Sequence, residues 1–298
     1  TIRSKHLDAI THTFLSIIKA ARMNVDIFHI HGVGPSLLAW LPKILRPKAK
    51  VVVTFHCIDR HHQKWNFIAR TMLQIGEWMA CKVPDATIAV SKTIQDYCHM
   101  GYGANAIYVP NGTPIPLEGA DPSHLEAFGL TPYRYLMMCA RLVRHKGQHT
   151  LIAAWKTLQK TRPELTENIK LAIVGGSSFT DGYVEELKSM TKDDSSIIMT
   201  GVQTGEPLKS LFTHSYAAVH PSVSEGLPIA ILEAMSYGKC VLSSDIPENL
   251  EITEENGLSF RRDDISDLAQ KMALLLERPD VVSSVGTDAR AFVAKSYD

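Results

Sequence analysis

The chain has 298 residues, and its 31 Lys and Arg side chains balance its 31 Asp and Glu side chains. With 45% hydrophobic and 21% charged residues, the composition is that of a soluble globular protein and excludes intrinsic disorder. No uncharged apolar stretch approaches the roughly 20 residues of a spanning helix, and the balanced charge argues against a general nucleic-acid binder.

Short apolar, β-branched runs alternate with longer helical segments in the first part of the chain. The runs predict strands at residues 25–30, 51–55, 86–90 and 106–109. The segments around them predict helices at residues 5–22, 36–45, 64–81 and 92–100.

The same alternation continues in the second part of the chain. It predicts strands at residues 135–139, 170–174, 196–200, 217–220, 240–243 and 257–260. It predicts helices at residues 148–160, 182–190, 206–212, 229–237, 265–276 and 281–294.

Alternating strands and helices are typical of parallel sheets with helices on both faces. Proline and glycine concentrate at residues 110–132, as expected of a linker. We therefore expect an α/β protein of two doubly wound Rossmann-like domains facing a cleft, the first of them incomplete because it has only about four strands. The predicted parts are a first domain, a linker, a second domain and a carboxy-terminal helix, at residues 1–113, 114–132, 133–280 and 281–298.

Charge is unevenly distributed between the two parts of the chain. Residues 1–113 carry 13 Lys and Arg against 6 Asp and Glu, a net charge of +7, and the remainder carries the opposite charge. The basic part includes a cluster formed by Lys43, Arg46, Lys48 and Lys50. One interpretation is attraction to an anionic membrane surface, and the other is an ordinary solvated loop.

Five cysteines with wide spacings form neither a disulfide framework nor a Cys-x-x-Cys pair. Reduced thiols and the lack of a recognisable signal peptide after Thr1 predict a cytoplasmic protein. A basic first domain would extend this prediction to a peripheral position at the inner face of the membrane.

The most informative motif is the Ser-Glu-Gly-Leu-Pro segment at residues 224–228, directly before a predicted helix. Pro228 suits the first helical position, and a helix start offers unpaired N–H groups to a phosphate. Two carboxylates, Glu225 and Glu233, flank this start. Carboxylates near a phosphate site make sense if they bind hydroxyl groups on either side of it, as in a nucleotide sugar. An ordinary loop glutamate and helix glutamate remain the alternative.

A basic loop follows the predicted strand at residues 135–139. Arg141, Arg144 and Lys146 would lie at the carboxyl end of that strand, where cations could neutralise a diphosphate. Gly175 follows another strand end and is expected to line the ligand. Solvated loop cations are the alternative interpretation.

Histidines mark two strands of the first part. His56 directly follows a predicted strand, where an imidazole could orient an acceptor or stabilise developing charge. His29 and His31 share one face of another strand, but no acidic or cysteine partner suggests a metal site. No metal is therefore predicted.

Seven short motifs follow one another along the chain, at residues 26–32, 51–56, 88–91, 109–112, 140–147, 224–228 and 233–235. In this order they resemble the retaining glycosyltransferases of the GT-B fold called group-one or family-four glycosyltransferases. The resemblance covers essentially the whole chain. It implies a glycosyltransferase of the hexosyl type, active in glycan, glycolipid or cell-envelope polysaccharide biosynthesis.

The resemblance also implies residue roles. Glu225 would contact the donor sugar, Glu233 the ribose hydroxyls, and Arg141 with Lys146 the diphosphate. His56 would correspond to the active-site histidine near the donor sugar.

The backbone of Gly226, Leu227 and Pro228 would contact phosphate and sugar. The implied partners are a nucleotide sugar based on UDP or GDP and a glycan or lipid-linked acceptor. The reaction would need no metal or other cofactor and would retain the anomeric configuration.

The sequence departs from the family at its start, where a strand and a glycine-rich loop usually precede the first helix. We expect these first strands to be absent, and the family's further helix after Asp298 as well, as in a fragment, a cleaved form or a reduced member. A truncated nucleotide-sugar-binding protein or assembly partner without activity is therefore one alternative. A nucleotide-sugar epimerase of the same fold is another.

Overall fold

The structure is a computed structural model that describes residues 8–58, 60 and 67–298. The chain divides into two compact units. The first unit comprises Thr1–Asn111 together with Glu225–Leu227. The second comprises Gly112–Ser224 and Pro228–Asp298.

The first unit contains a parallel sheet in the order β1-β2-β3-β4. Its strands are β1 (Ile27–His31), β2 (Lys50–Phe55), β3 (Ala86–Ala89) and β4 (Ile107–Tyr108). Its helices are α1 (Asp8–Ala21), α2 (Leu41–Leu45), α3 (Phe67–Lys82) and α4 (Lys92–Tyr102), with a 3₁₀ helix at Pro35–Leu38. The four predicted strands are confirmed in kind and order.

The edge strand β1 is buried on one face only. Phe28 packs in a small core with Ile17 of α1 and Leu41 of α2, whereas Ile27, His29 and His31 on the other face are exposed. Because side chains alternate along a strand, the helical layer and the histidines lie on opposite faces of β1.

The prediction of one helix at residues 36–45 is wrong. The segment forms the 3₁₀ helix Pro35–Leu38 and the separate helix α2, which starts at Leu41. Pro42 explains the division, because proline lacks the N–H of a continuous helix but fits its first turn. The amino-terminal residues of the helices predicted at 5–22 and 64–81 lie outside the described residues.

The second unit contains a parallel sheet in the order β10-β9-β8-β5-β6-β7. Its strands are β5 (Tyr135–Cys139), β6 (Lys170–Val174), β7 (Ile197–Gly201), β8 (Ala217–His220), β9 (Val241–Ser244) and β10 (Leu258–Phe260). Its helices are α5 (Gln148–Thr161), α6 (Pro163–Thr166), α7 (Asp181–Thr191), α8 (Gly205–Thr213), α9 (Ile229–Ser236), α10 (Pro247–Thr253), α11 (Ile265–Glu277) and α12 (Pro279–Ser296).

The four central strands β5, β6, β8 and β9 are almost fully buried, as continuous apolar sequences require. Trp155 of α5 is buried in the core and donates its indole N–H to the Ser196 hydroxyl at 2.9 Å. Strand β5 pairs with both β6 and β8. The carboxyl ends of β5, β6 and β8 are therefore neighbours, and their loops meet at one edge of the sheet.

Two helices of the second unit were not predicted, α6 and α10. Both begin at a proline and are short, so they lack the long apolar period that identifies a helix from sequence. Among the described residues, no helix has the length and apolar character needed to cross a membrane.

Candidate functional site

The predicted site residues fall into two groups, one in each unit. The second unit holds Arg141, Lys146, Gly175, Pro228 and Glu233. The first unit holds His56 and the loop residues Glu225, Gly226 and Leu227.

Gly175 brings the loops after β5 and β6 into direct backbone contact. It has a φ of +144°, and a Cβ there would overlap the carbonyl oxygen of Ala140. A side chain is excluded by both conformation and space, so glycine is required. The neighbouring Gly176 accepts a hydrogen bond on its carbonyl oxygen from the Leu142 N–H at 2.9 Å. Gly175 and Gly176 thus hold the basic loop close to the sheet.

Buried side chains fix the backbone around Arg141. The amide of Gln148 donates to the Arg141 carbonyl oxygen at 2.9 Å, and Gln148 is itself fully buried. The Thr180 hydroxyl donates to the Leu142 carbonyl oxygen at 2.6 Å. Sequence reasoning missed both supports, because a glutamine at a helix start and a loop threonine carry no specific signal.

The three basic side chains of the loop have different environments. Arg144 is ion-paired with Glu186 and lies over the ring of Tyr183, 4.8 Å from its centroid. Arg141 is exposed, and no carboxylate of the described residues forms an ion pair with it. Lys146 is half-buried on the same loop. Arg144 therefore has a structural role, whereas the Arg141 guanidinium is available to an anion.

Helix α9 begins at Ile229, so Pro228 occupies the capping position rather than the predicted first helical position. A proline side chain has no oxygen that could cap the helix, so Pro228 itself makes no side-chain capping hydrogen bond. Unpaired N–H groups at such an end attract an anion. The helix ends before Gly238, whose φ of +70° is typical of a glycine that terminates a helix.

Glu233 lies on α9 and is half-buried. Burial raises the pKa of its carboxyl group, and no described residue hydrogen-bonds to or pairs with that carboxylate. Burial of the Cys139 thiol is the main cause that raises its pKa to about 12, and the charge of Glu233 is the second cause. The carboxylate thus acts on the carboxyl end of β5, and a buried carboxylate without a partner is typical of a binding site.

A buried polar network supports the loop after β8. Asn249 of α10 donates to the Ser244 hydroxyl oxygen at 2.9 Å, and the Ser244 hydroxyl donates to the Ser222 carbonyl oxygen. All three residues are fully buried. The network joins the ends of β8 and β9 to α10, and the sequence did not reveal it because α10 was not predicted.

The first unit brings the Glu225–Leu227 loop against the end of β2. A Cβ at Gly226 would overlap the carbonyl oxygen of His56, so only glycine permits this approach. The Asn111 amide donates to the Leu227 carbonyl oxygen at 3.4 Å, and Glu225 is only 8% exposed. The structure therefore places the predicted His56 beside the predicted glycine of the Ser-Glu-Gly-Leu-Pro motif.

His29, His31 and His56 lie near one another in the same unit. The rings of His29 and His31 are 4.1 Å apart, and those of His31 and His56 are 5.2 Å apart. Within the described ranges, no group of three or more potential ligands has the arrangement to hold a metal ion.

Replacing Glu233 with glutamine should raise the melting temperature of the ligand-free protein at neutral pH. Because burial raises the pKa of Glu233, the extra stability of the protonated form is lost as pH rises through the folded-state pKa. Glutamine removes the buried charge, so its advantage should disappear below the unfolded-state pKa of about 4.5. Thermal unfolding from pH 4 to pH 8 measures this, with the exposed Glu255→Gln as control. A pH-independent difference would contradict the assignment.

Two family models match the chain. The model described as "Glycosyl transferases group 1" matches residues 125–292, more than half of the chain. The model described as "Glycosyltransferase Family 4" matches residues 4–115.

Two curated relatives align with 95% of the chain. The GDP-mannose:cellobiosyl-diphosphopolyprenol alpha-mannosyltransferase of Xanthomonas oryzae pv. oryzae is 26% identical, with 73% of its own length covered. The sulfoquinovosyl transferase SQD2 of Arabidopsis thaliana is 29% identical, with 56% covered. The chain covers 62%, 39% and 37% of the length of three other curated relatives, less than two thirds of each.

Among solved structures, Anabaena HepE in complex with UDP and glucose has a TM-score of 0.81 and 19% identity. The match covers 99% of this chain and 80% of HepE. At this identity the likeness shows the fold alone, and it confirms the predicted GT-B architecture of two α/β domains. With its parallel sheets, its site motifs and a family match over more than half its length, the chain belongs to the group 1 glycosyl transferases.

Proposed function

We propose that the protein is a retaining glycosyltransferase that moves a sugar from a nucleotide-sugar donor to a glycan or lipid-linked acceptor. The observation that carries this proposal is the edge of the second unit around Arg141. There a firmly held loop presents the Arg141 guanidinium, which pairs with no described carboxylate, while the Glu233 carboxylate, also without a partner among the described residues, acts on the end of β5. Cation and carboxylate on one edge suit a ligand that has both phosphates and hydroxyl groups.

Arg141 and Lys146 would neutralise the diphosphate, and the start of α9 after Pro228 would add its positive end. Arginine binds phosphate oxygens through two parallel N–H groups, which makes it suited to a leaving diphosphate. Glu233 would accept hydrogen bonds from the ribose hydroxyls. Such an arrangement stabilises the leaving group electrostatically and without a metal ion.

Glu225 would contact the donor sugar, and the backbone of Gly226 and Leu227 would contact sugar and phosphate. His56 would lie near the donor sugar, where its imidazole can orient the reacting groups. In a retaining reaction by front-face attack, the acceptor oxygen bonds to the anomeric carbon on the side that the diphosphate leaves. The leaving phosphate oxygen accepts the acceptor proton.

The named activities of relatives support a nucleoside-diphosphate sugar as donor. HepE binds UDP and glucose, and the Xanthomonas relative is named for GDP-mannose. We extend this chemistry to the present chain as a UDP- or GDP-sugar. The relatives differ in the nucleotide base and in the sugar. A binding screen of UDP, GDP and their common sugars therefore identifies the donor of this protein.

Arg141→Ala should weaken UDP or GDP binding by about tenfold to a hundredfold, because a charge-assisted hydrogen bond contributes about 1.5–3 kcal/mol. The matched control is Arg144→Ala, three residues along the same loop. The Arg144 guanidinium is already engaged by Glu186 and Tyr183, so its loss should leave nucleotide affinity nearly unchanged. Isothermal titration calorimetry measures both. Equal losses in the two variants would contradict the assignment of Arg141.

Glu225→Gln should lower transfer from the chosen donor by about a hundredfold or more, since removing one transition-state contact typically costs that much. The reaction is followed by nucleotide release, and the anomeric configuration of the product is read by NMR. An exposed control, Glu255→Gln, should keep wild-type turnover. Nucleotide binding without turnover for any acceptor would favour an inactive binding protein, and donor epimerisation without acceptor would favour an epimerase.

We further propose that an anionic membrane is a partner of the first unit. The structure modifies the cluster predicted for this role, because Lys43 and Lys50 both pair with Asp85, at 3.1 and 3.4 Å. The pKa of Asp85 is lowered to about 2, mainly by a hydrogen bond from the Val51 backbone N–H and then by these two pairs. Lys48 and the 66%-exposed Ile44 remain on the surface of this region as a cation and an apolar contact.

Vesicles containing anionic lipid should bind the protein more strongly than neutral vesicles. Reversing the charge in Lys48→Glu should weaken this preference, because each basic residue near the surface contributes about 1 kcal/mol. Lys188→Glu, on the surface of α7, is the matched control and should bind as the wild type does. Flotation with equal binding to neutral and anionic vesicles would overturn the membrane proposal.

A further inference from the structure

His31 of β1 makes a direct side-chain contact with His56. Its Nδ1 atom lies 2.9 Å from Nε2 of His56, within hydrogen-bond distance. The two rings also stack, with an interplanar angle of 25°. The register explains the proximity, because His31 pairs with Thr54 of β2 and His56 follows two residues later.

His29 provides a support on the other side of His31. Its Nε2 atom lies 2.7 Å from the Thr54 hydroxyl oxygen, and its ring packs against that of His31. Partial burial of the His29 ring lowers its pKa, and the neighbouring His31 is a second cause. The lowered pKa favours a neutral ring at His29. His31 is therefore held between the ring of His29 and that of His56.

A hydrogen bond between two neutral imidazoles couples their tautomers. Each neutral ring has one N–H donor and one bare acceptor nitrogen. Only one of the two facing nitrogens carries the proton, so the tautomer of one ring determines that of the other. The stacking at the same time restricts rotation of the His56 ring. His31 thus constrains the orientation of His56, and the protonated nitrogens of the two rings are coupled.

We propose that His31 is a positioning residue that sets the ring orientation of His56 and couples the tautomer of His56 to its own. The consequence for catalysis rests on the proposed function, in which His56 lies near the donor sugar. Nε2 of the His56 ring is directed at His31, while the His56 backbone packs against Gly226. A ring fixed before the ligand binds loses less conformational entropy when the reacting groups are aligned.

Two substitutions separate the hydrogen bond from the shape of the ring. His31→Phe keeps a ring that can stack on His56 but removes the hydrogen-bonding nitrogen. His31→Asn removes the ring but keeps a polar atom at the position of Nδ1, as far from Cβ as in histidine. His99→Phe, at an exposed histidine on α4, is the matched control.

The first readout is the tautomer of His56 in the ligand-free protein, from ¹⁵N NMR of histidine-labelled protein. The His56 signals are assigned by their loss in His56→Gln. We expect the same ratio of His56 tautomers in the wild type and in His99→Phe, a changed ratio in His31→Phe, and a ratio closer to the wild type in His31→Asn, whose amide can hydrogen-bond to Nε2. An unchanged tautomer in His31→Phe would overturn the proposal, whatever the activity.

The second readout is transfer with the donor found by the binding screen. His31→Phe should lower kcat by about tenfold to a hundredfold with a smaller change in KM, because misalignment of a reacting group acts mainly on the chemical step. His31→Asn should recover most of this loss. A loss of activity that Asn does not rescue would indicate a general structural role and contradict the proposal.

The two readouts distinguish failure of the positioning from failure of the proposed function. If the wild type transfers no sugar but the tautomer follows the predicted pattern, the positioning stands and the proposed function fails. If transfer occurs and the tautomer does not respond to His31→Phe, the proposed function stands and the positioning fails.

Discussion

Close backbone approach between loops is the constraint on which the second unit depends. Gly175 lies against the carbonyl group of Ala140, and Gly147 lies against that of Pro221, each with no room for a Cβ. These contacts join the ends of β5, β6 and β8 into one continuous edge. Both glycines have positive φ values, so L-residues with side chains are disfavoured there by conformation as well as by space. The arrangement of the charged side chains follows from this packing.

On that edge, the neighbouring cations Arg141 and Arg144 have separate roles. Arg144 is committed to Glu186 and Tyr183 of α7. Arg141 has no comparable partner among the described residues, although Gln148 and the sheet fix its backbone. Glu233 is held half-buried with a raised pKa, which costs stability at neutral pH. A loss of stability of this kind is typical of residues whose role is to bind a ligand.

The first unit contributes histidines and a loop rather than cations. Its edge strand β1 turns His29 and His31 to the face opposite the helical layer, where they meet His56. Gly226 allows the Glu225–Leu227 loop to approach the same point. In a group 1 glycosyl transferase, the imidazole of His56 after β2 can therefore be oriented by His31 of the neighbouring strand β1. The register of β1 and β2 brings the two side chains together.

The sequence by itself determined the succession of strands and helices along the chain, the two α/β units, the family and the candidate residues, because apolar periodicity and short motifs are local properties. It missed α10 and the division at Pro42, where helices are too short to show a period. Only the tertiary structure distinguished Arg141 from Arg144, revealed Gln148 and Asn249 as supports, and joined His31 to His56. These relations depend on pairing between strands and on packing between distant segments. No local sequence pattern predicts these contacts.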